Sequence, residues 1–329
     1  MKQERTKKFK LFDLTKDGKG VEEVEDRTPT LKFFFKLFKR KFTQLLQLNL
    51  LMLFQVIPLL VIFFVVEVYG AKTPVITDAL YTPLYGISKA VPSPTTGTLL
   101  DMVGTQIEST LYYSPGMIIV IACMILFLAL TYGFQNVGAA YVLRGLVRGD
   151  GVFVFSDYFH AIRRNAKQAF FMGLLDFVFT AVFIIDISFF SSRSGSFGLD
   201  FMYFSLIALL ILYIVMRFYM YTLLITFDLS IVKILKNSLI FTALGLKRNI
   251  MACLGILLLL ALHVVLVLVT LAYGISIFLV IPFLYIVAAI GFIATYAAYP
   301  IIDRYMIAPY MSRQNEQAEE LPEESNTEA

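Results

Sequence analysis

Long apolar stretches alternate with short polar segments along the 329 residues of the chain. Six of these stretches reach the roughly 20 residues that an α-helix needs to cross the hydrocarbon core of a bilayer. They cover approximately residues 45–68, 117–142, 168–190, 201–226, 250–271 and 276–298. Only a Tyr-Gly turn at 272–275 separates the last two, which is typical of a helical hairpin. The pattern therefore predicts an all-α polytopic membrane protein with six transmembrane helices arranged as three hairpins.

The composition agrees with this pattern. Hydrophobic residues make up 58% of the chain and charged residues 16%, whereas soluble domains carry about 45–50% and about 25%. This balance excludes a soluble enzyme, a nucleic-acid-binding domain and a secreted disulfide scaffold. The lipid bilayer is the expected partner, and the small net charge of +4 gives no reason to expect nucleic acid. Residues 1–30 lack the apolar core of a signal peptide, so the first span is expected to remain in the protein.

Lysine and arginine are distributed unequally between the segments that flank the spans. Five lie in residues 32–41, five in 143–167 and four in 227–249. By contrast, the 48 residues 69–116 contain two, and residues 191–200 contain one. Because basic residues accumulate in cytoplasmic loops, this alternation predicts that both termini lie in the cytoplasm. The protein is thus expected to be a multi-pass protein of the cytoplasmic membrane, N-in and C-in.

The polar segments divide the chain into three regions. Residues 1–30 form a polar cytoplasmic tail, and residues 31–310 form the six-helix membrane domain. Its outer loop, 69–116, is rich in proline and is predicted to be an irregular cap with short helices around 77–90 and 99–110. Residues 311–329 form an acidic tail that is expected to be disordered, because six glutamates follow Ser312 and only Arg313 opposes them.

An amphipathic stretch and a basic cluster precede each odd-numbered span. The clusters contain Lys39, Arg40 and Lys41, then Arg163 and Arg164, and finally Lys247 and Arg248. Apolar residues at helical spacing predict interfacial helices on the cytoplasmic side, the second capped by Ser156 and the third by Asp228. One interpretation is three repeats of an interfacial helix followed by a hairpin. The alternative is that cytoplasmic loops of any polytopic protein collect such residues.

Two opposite charges lie at matching depths in neighbouring spans. Asp176 is about eight residues from the cytoplasmic start of the third span, and Arg217 is about nine residues from the cytoplasmic end of the fourth. At 1.5 Å per residue these depths agree within roughly 2 Å, so an Asp176–Arg217 ion pair is predicted. Charged residues within a span usually face the bundle interior. The pair either fixes the register of the two helices or forms part of a substrate or proton site.

Other polar side chains lie at a similar depth. They are Gln55 in the first span and Gln135 and Asn136 in the second, and together with the ion pair they would form a polar belt in the inner half of the bundle. Hydrogen bonds between helices are one role for such residues, and the lining of a solute pathway is the other. His263, near the middle of the fifth span, is predicted to be a hydrogen-bonded packing residue, with a proton relay as the alternative.

Two further features of the spans carry structural predictions. Pro58 is expected to kink the first span and Pro282 the sixth, because proline cannot donate the helical hydrogen bond. Asp186, nearer the outer end of the third span, has Arg193 as its predicted surface partner.

The chain contains no recognisable catalytic, nucleotide-binding or metal-binding motif. Cys123 and Cys253 lie in apolar runs and are expected to be too far apart to bridge, and the two histidines are separated by 103 residues. The sequence therefore predicts a protein that is not an enzyme, with no catalytic residues, no cofactor and no metal.

A family resemblance rests on the segments that follow the second and fourth spans. Residues 135–150 read QNVGAAYVLRGLVRGD, with Phe153, residues 156–159 (SDYF) and residues 164–168 (RNAKQ) after them. Residues 221–224 (YTLL), 227–229 (FDL) and 236–238 (KNS) form a second group. These motifs resemble the YesL-like family of bacterial integral membrane proteins, over approximately residues 31–310. The resemblance implies a non-catalytic accessory of a carbohydrate (oligosaccharide) import system, with ABC-type sugar importer subunits as partners. The alternative is a self-sufficient small-solute permease that uses the inner polar belt.

Overall fold

The computed structural model describes residues 28–69, 71–76, 79–91, 93–100, 104–110, 114–193, 195–274 and 281–319. Within these ranges six helices are long and apolar enough to cross a membrane: Leu31–Val66, Pro115–Arg148, Ala166–Ser191, Phe197–Thr226, Leu246–Ala272 and Pro282–Gln314. Each overlaps one of the stretches found in the sequence, although the first stretch ends two residues beyond Val66 and the sixth begins in residues outside the described ones. The all-α polytopic membrane fold is thus confirmed.

The elements follow one another with short connections. In chain order the helices are α1 (Leu31–Met52), α2 (Val56–Tyr69), α3 (Thr82–Ala90), α4 (Pro94–Leu99), α5 (Pro115–Arg148), α6 (Val154–Arg164), α7 (Ala166–Ser191), α8 (Phe197–Thr226), α9 (Ile231–Leu244), α10 (Leu246–Ala272), α11 (Pro282–Ile302) and α12 (Ala308–Glu319). The strands are β1 (Ala71–Ile76) and β2 (Thr105–Thr110). Single 3₁₀ turns lie at Leu53–Gln55 and Ala79–Tyr81, and a π turn lies at Asp303–Ile307.

The even-numbered spans α5, α8 and α11 contact one another at the centre of the bundle. The odd-numbered spans pack around them: α1 against α11, α2 against α5, α7 against α5 and α8, and α10 against α11. The first and third spans thus each contact two central helices closely. The fifth span, α10, approaches α11 but scarcely approaches α8.

The bundle is tightest at one end, which we call the basic end: the first half of α1, α6, α9, and the starts of α7 and α10. The buried residues of α7 lie between Ala169 and Asp176, whereas the rest of this helix is partly or fully exposed. Those of α8 lie between Tyr213 and Ile225, in its second half. The helices therefore converge at the basic end, and their other halves present apolar side chains to the surroundings, as lipid contact requires.

The helix of the first span is interrupted close to the position where the sequence predicts a kink. A 3₁₀ turn at Leu53–Gln55 interrupts the helix three residues before Pro58, whose ring clashes with the carbonyl four residues back in a regular helix. The second predicted kink is wrong: Pro282 is the first residue of α11, where its missing N–H would have no helical partner anyway. The turn after α10 is confirmed, with Gly274 in the left-handed region at φ 72°.

Glycines bring α5 and α7 into backbone contact. A Cβ added to Gly133 would lie 1.8 Å from the carbonyl oxygen of Ala169, and one added to Gly173 would lie 2.2 Å from the Cα of Gly133. No larger side chain fits at this crossing without moving a helix. Small residues drive helix association in membranes by permitting such close approach.

Two of the three predicted amphipathic segments are separate helices, α6 and α9, and the first is continuous with the first span. Both predicted caps are wrong, the first by three residues and the second by two, because the N-cap residues are Phe153 and Ser230. Helix α6 begins before Ser156, and Asp157 accepts a hydrogen bond from the N–H of Phe153 at 2.9 Å. Helix α9 has Ser230 as its N-cap residue in place of Asp228. The first residue of a helix depends on the path of the backbone, and several neighbouring polar residues could each serve as its cap.

The buried stripe of α6 packs on α5. Tyr158 is 5% exposed, and its ring packs directly against Gly138. A Cβ added to Gly138 would lie 2.7 Å from the nearest ring carbon of Tyr158. Burial raises the pKa of the Tyr158 phenol, so the ring stays neutral. The apolar side of α6 thus faces the bundle, while Phe155 and Phe159 are about half exposed at 49% and 48%.

The outer segment contains a β-ribbon that the sequence did not predict. Strands β1 and β2 pair antiparallel, with Ala71 opposite Thr110 and Ile76 opposite Thr105. Helix α3 confirms the second half of the helix predicted at 77–90, but the helix predicted at 99–110 is wrong over residues 105–110, which form β2; residues 101–103 lie outside the described ones. The run Thr-Gln-Ile-Glu-Ser-Thr in β2 is rich in residues that favour strands.

The chain end also differs from expectation. Helix α12 continues to Glu319, so the prediction of disorder is wrong for residues 311–319. This segment contains Met, Arg, Gln, Glu and Ala, which are good helix formers, and it extends α11 through the π turn. The rest of the acidic tail and residues 1–27 of the N-terminal tail lie outside the described residues.

Candidate functional site in the membrane interior

A fully buried carboxylate lies at the junction of α5, α7 and α8. Asp176 on α7 is 0% exposed. Its Oδ1 accepts a hydrogen bond from the Tyr213 hydroxyl at 2.6 Å, and its Oδ2 accepts one from the Tyr221 hydroxyl at 2.7 Å. The Nε of Arg217 lies 3.1 Å from both oxygens. The ion pair predicted from matching depths is therefore present, with two tyrosines added to it.

Arg217 links this carboxylate to α5. Its Nη2 donates to the hydroxyl of Tyr132, and its guanidinium lies over the Tyr132 ring, 5.4 Å from the centroid. The Arg217 side chain is 28% exposed, in contrast to the fully buried Asp176. One charge of the pair is thus enclosed, and the other reaches the surface of the cluster.

Local sequence spacing places these groups. Tyr213, Arg217 and Tyr221 are four residues apart and therefore project from the same face of α8. Tyr132 directly precedes Gly133, and Asp176 follows Gly173 by three residues, so both lie beside the close crossing of α5 and α7. The glycine contact therefore determines how near the phenol on α5 comes to the carboxylate on α7.

The geometry shows what this site can do. Asp176 and Arg217 neutralise each other, which removes most of the cost of placing charge in a bilayer. Both carboxylate oxygens already accept from a phenol and from the guanidinium, so Asp176 is fully engaged by the protein. The cluster, which we call the Asp176 cluster (Asp176, Arg217, Tyr213, Tyr221 and Tyr132), is well suited to hold three helices in one register. Charge pairs and polar networks specify register in other helical assemblies.

Among the described residues, the other predicted members of the polar belt make no hydrogen bond to a side chain of this cluster. Gln135 donates to the carbonyl of Met52, at the break between α1 and α2. Gln55 lies in that same 3₁₀ turn, and its buried Nε2 has no hydrogen-bond partner. Asn136 donates to the carbonyl of Tyr132 in its own helix at 2.8 Å. The predicted belt is thus split between the Asp176 cluster and the helix break.

His263 lies elsewhere, between α10 and α11. Its Nδ1 is 3.3 Å from the Tyr285 hydroxyl, and its side chain is 7% exposed. The Nε2 is buried without a hydrogen-bond partner. The contact agrees with a hydrogen-bonded packing residue, and the described residues provide no chain of polar groups from His263 to Asp176.

Two polar contacts were missed by sequence reasoning. Asn49 is 0% exposed and joins α1 to α11: its Nδ2 donates to the Phe283 carbonyl at 2.5 Å, and its Oδ1 accepts from the Ala288 N–H at 2.9 Å. Tyr219 donates to Asn249 Oδ1 at 2.7 Å and joins α8 to α10. An amide inside or just before an apolar run was a usable signal for both asparagines.

Residues of the family-like motifs connect the hairpins at the basic end. Arg144 donates to Thr226 Oγ1 at 2.9 Å, and Gln168 donates to the Leu229 carbonyl. From α1, Lys41 and Gln44 donate to the carbonyls of residues 150 and 152, at 3.1 and 2.9 Å. Lys41, Gln44 and Gln168 therefore bind backbone carbonyls outside their own hairpins, and Arg144 binds both a hydroxyl and the Ile225 carbonyl of α8.

The structure also bears on the predictions for the two cysteines and for the Asp186–Arg193 ion pair. Cys123 and Cys253 are free thiols. Arg193 lies over the ring of Phe189, 4.0 Å from its centroid, and no ion pair with Asp186 forms, so that predicted pair is wrong. Within the described ranges no three His, Cys, Asp or Glu side chains gather into a group that could hold a metal ion.

Comparison of the chain with protein-family models, with curated proteins and with solved structures finds no match.

Proposed function

We propose that this protein is a non-catalytic accessory protein of the bacterial cytoplasmic membrane, associated with a carbohydrate import system. It holds both termini in the cytoplasm, and its partners are the lipid bilayer and the permease subunits of an ABC-type sugar importer. The carbohydrate class and the importer come from the resemblance to the YesL-like family, and the orientation comes from the basic residues at one end of the bundle.

The state of Asp176 is the observation that supports a non-catalytic, non-transporting role best. A catalytic or substrate-binding carboxylate needs an oxygen that can reach a ligand. Both oxygens of Asp176 instead accept from tyrosines and from Arg217. A carboxylate held in this way stabilises the bundle and leaves the outer surfaces for contact with a partner.

Exposed aromatic residues at the basic end favour docking at the membrane interface. Phe153 is 79% exposed, and Phe155 and Phe159 on α6 are about half exposed. They lie beside basic residues, as in amphipathic helices that rest in the interface. A partner that occupies the same interface would cover them.

A second candidate, a self-sufficient small-solute permease, is favoured by Arg217. Its side chain is 28% exposed although it lies about 13 Å along α8 from the helix end at Thr226. A charged group at that depth that is not fully covered would be available to an anionic or polar solute.

One experiment separates these candidates. The chain is purified from native membranes in a mild detergent, its co-purifying proteins are identified, and the same preparation is tested for solute uptake in proteoliposomes. The accessory role predicts stoichiometric importer subunits and no uptake by the chain alone. Uptake by the purified chain that is lost with Arg217→Lys would establish the permease, and absence of importer subunits would contradict the accessory role.

A further inference from the structure

A lateral cleft opens between α8 and α10, on the outside of the bundle. Its walls include Leu212 and Val215 from α8 and Ile250 and Leu254 from α10, and its basic end is closed by Thr242 and Asn249. The cleft has a volume of about 340 Å³, which is in the range of about 300–1,000 Å³ that is typical of small-molecule sites.

The packing of the spans explains why the cleft lies here. The first and third spans each contact two central helices, whereas α10 packs against α11 and scarcely approaches α8. The α5–α7 contact depends on Gly133 and Gly173, but no pair of glycines lines the facing sides of α8 and α10, where Leu212, Val215 and Ile250 lie instead. The hydrogen bond from Tyr219 to Asn249 ties these two helices at the basic end, and they separate beyond it.

We propose that this cleft binds an acyl chain of an anionic phospholipid, with the lipid phosphate held by Lys247. The walls are apolar and face the hydrocarbon, in which lipid chains are the solvent. The polar atoms of Asn249 are already used by Tyr219 and by the Thr242 carbonyl, so they do not select the ligand.

The charge that selects the ligand is on Lys247. This residue is exposed in the first turn of α10, and it makes no ion pair with any described residue. Lys247 directly follows Leu246, which lines the cleft. Its side chain is rotated by about 100° around α10 from that of Leu246. The lysine therefore lies at the edge of the cleft, at the interface where a phosphate would be.

The chain contains no tryptophan, so one introduced tryptophan reports on one place. Leu212→Trp places it in the cleft. Ile214→Trp is the matched control, because Ile214 has nearly the same exposure, 42% against 41%, lies about 160° from Leu212 around α8 and does not line the cleft. Each variant is reconstituted in phosphatidylcholine vesicles with a minor fraction of bromine-labelled phosphatidylglycerol or bromine-labelled phosphatidylcholine.

Brominated phosphatidylglycerol should quench the Leu212→Trp reporter at about five-fold lower concentration than brominated phosphatidylcholine does, and both lipids should quench the control alike. Adding Lys247→Gln should abolish this preference, whereas Lys233→Gln, an exposed lysine at the other end of α9, should not. Equal quenching by both lipids would overturn the proposal. So would a reporter that no lipid quenches, because a partner helix or a second copy would then fill the cleft.

A second measurement does not depend on the reporter. Native mass spectrometry of the unchanged protein from phosphatidylglycerol-containing membranes should show one retained anionic lipid, which Lys247→Gln loses and Lys233→Gln keeps. Retention that is the same in all three proteins would contradict the assignment.

Discussion

At the scale of single residues, the protein replaces water around a charge with phenols. Asp176 receives two tyrosine hydroxyls and a guanidinium in place of hydration. A buried charge pair gains little over apolar packing, but the loss of one partner leaves the other charge uncompensated. The Asp176 cluster should therefore be sensitive to single substitutions and more tolerant of paired ones.

Asp176→Asn should lower the free energy of unfolding by about 3–5 kcal/mol, because Arg217 then remains as an unpaired charge in the membrane interior. Thermal unfolding in detergent measures the loss. The double variant Asp176→Asn with Arg217→Gln should lose less than the two single losses added together. Additive losses would show that the two side chains do not interact.

Tyr221→Phe should cost about 1.5–3 kcal/mol, which is typical of a hydrogen bond to a charged group. Tyr203→Phe on the same helix is the control, because Tyr203 makes no hydrogen bond to a charged residue in the part of the chain described. The same unfolding assay compares the two variants. An equal effect of both would indicate that the phenol of Tyr221 does not support Asp176.

At the scale of elements, the contact between α5 and α7 depends on the absence of side chains. Gly133 and Gly173 lie against each other and against the Ala169 carbonyl, which brings Tyr132 within reach of Arg217. This single contact therefore contributes both to packing in the membrane and to the geometry of the Asp176 cluster.

Gly133→Ala should destabilise the protein by about 1–3 kcal/mol or more, as overpacking does, because its new methyl group would meet the Ala169 carbonyl. Gly198→Ala is the matched control, since a Cβ there meets nothing within 4 Å. Unfolding midpoints of both variants in detergent provide the measurement. A Gly133→Ala protein as stable as the control would mean that α5 and α7 are not in backbone contact at this crossing.

At the scale of the whole molecule, the basic end carries most of the tight packing. Hydrogen bonds between hairpins gather there, from Lys41, Gln44, Arg144 and Gln168. Beyond it the spans separate, and the cleft between α8 and α10 is one result. The basic end is also where positive charge would meet the cytoplasmic surface of the membrane.

The proposed orientation can be measured with single cysteines in a Cys123→Ser, Cys253→Ser background. Ser156→Cys on α6 should be protected from a membrane-impermeant maleimide in intact cells and should react after permeabilisation. Gly86→Cys on α3, at the other end of the bundle, should react in intact cells. The reversed pattern would overturn the N-in, C-in assignment.

The number of spans was predictable because each is a local property of the sequence. A run of about 20 apolar residues is stable in a bilayer only as a helix, whatever its neighbours are. The Asp176–Arg217 pair was predictable for a related reason: two residues in one hairpin at equal depth must meet if they face each other. The helix N-caps were misplaced and the β-ribbon was not predicted, because a short polar segment is compatible with several backbone conformations.

The tertiary structure alone decided which further polar groups meet the Asp176–Arg217 pair. Tyr213 and Tyr221 share a face of α8 with Arg217, but it is the crossing of three helices that brings these tyrosines to Asp176 and Tyr132 to Arg217. Gln55, Gln135 and Asn136 share a depth with the ion pair but do not bond to it, because depth does not specify the direction in which a side chain points. The sequence by itself determined a six-helix membrane protein with a basic end. The packing of its helices determined the enclosed carboxylate and the open cleft, since both depend on distances between helices that no single stretch of chain contains.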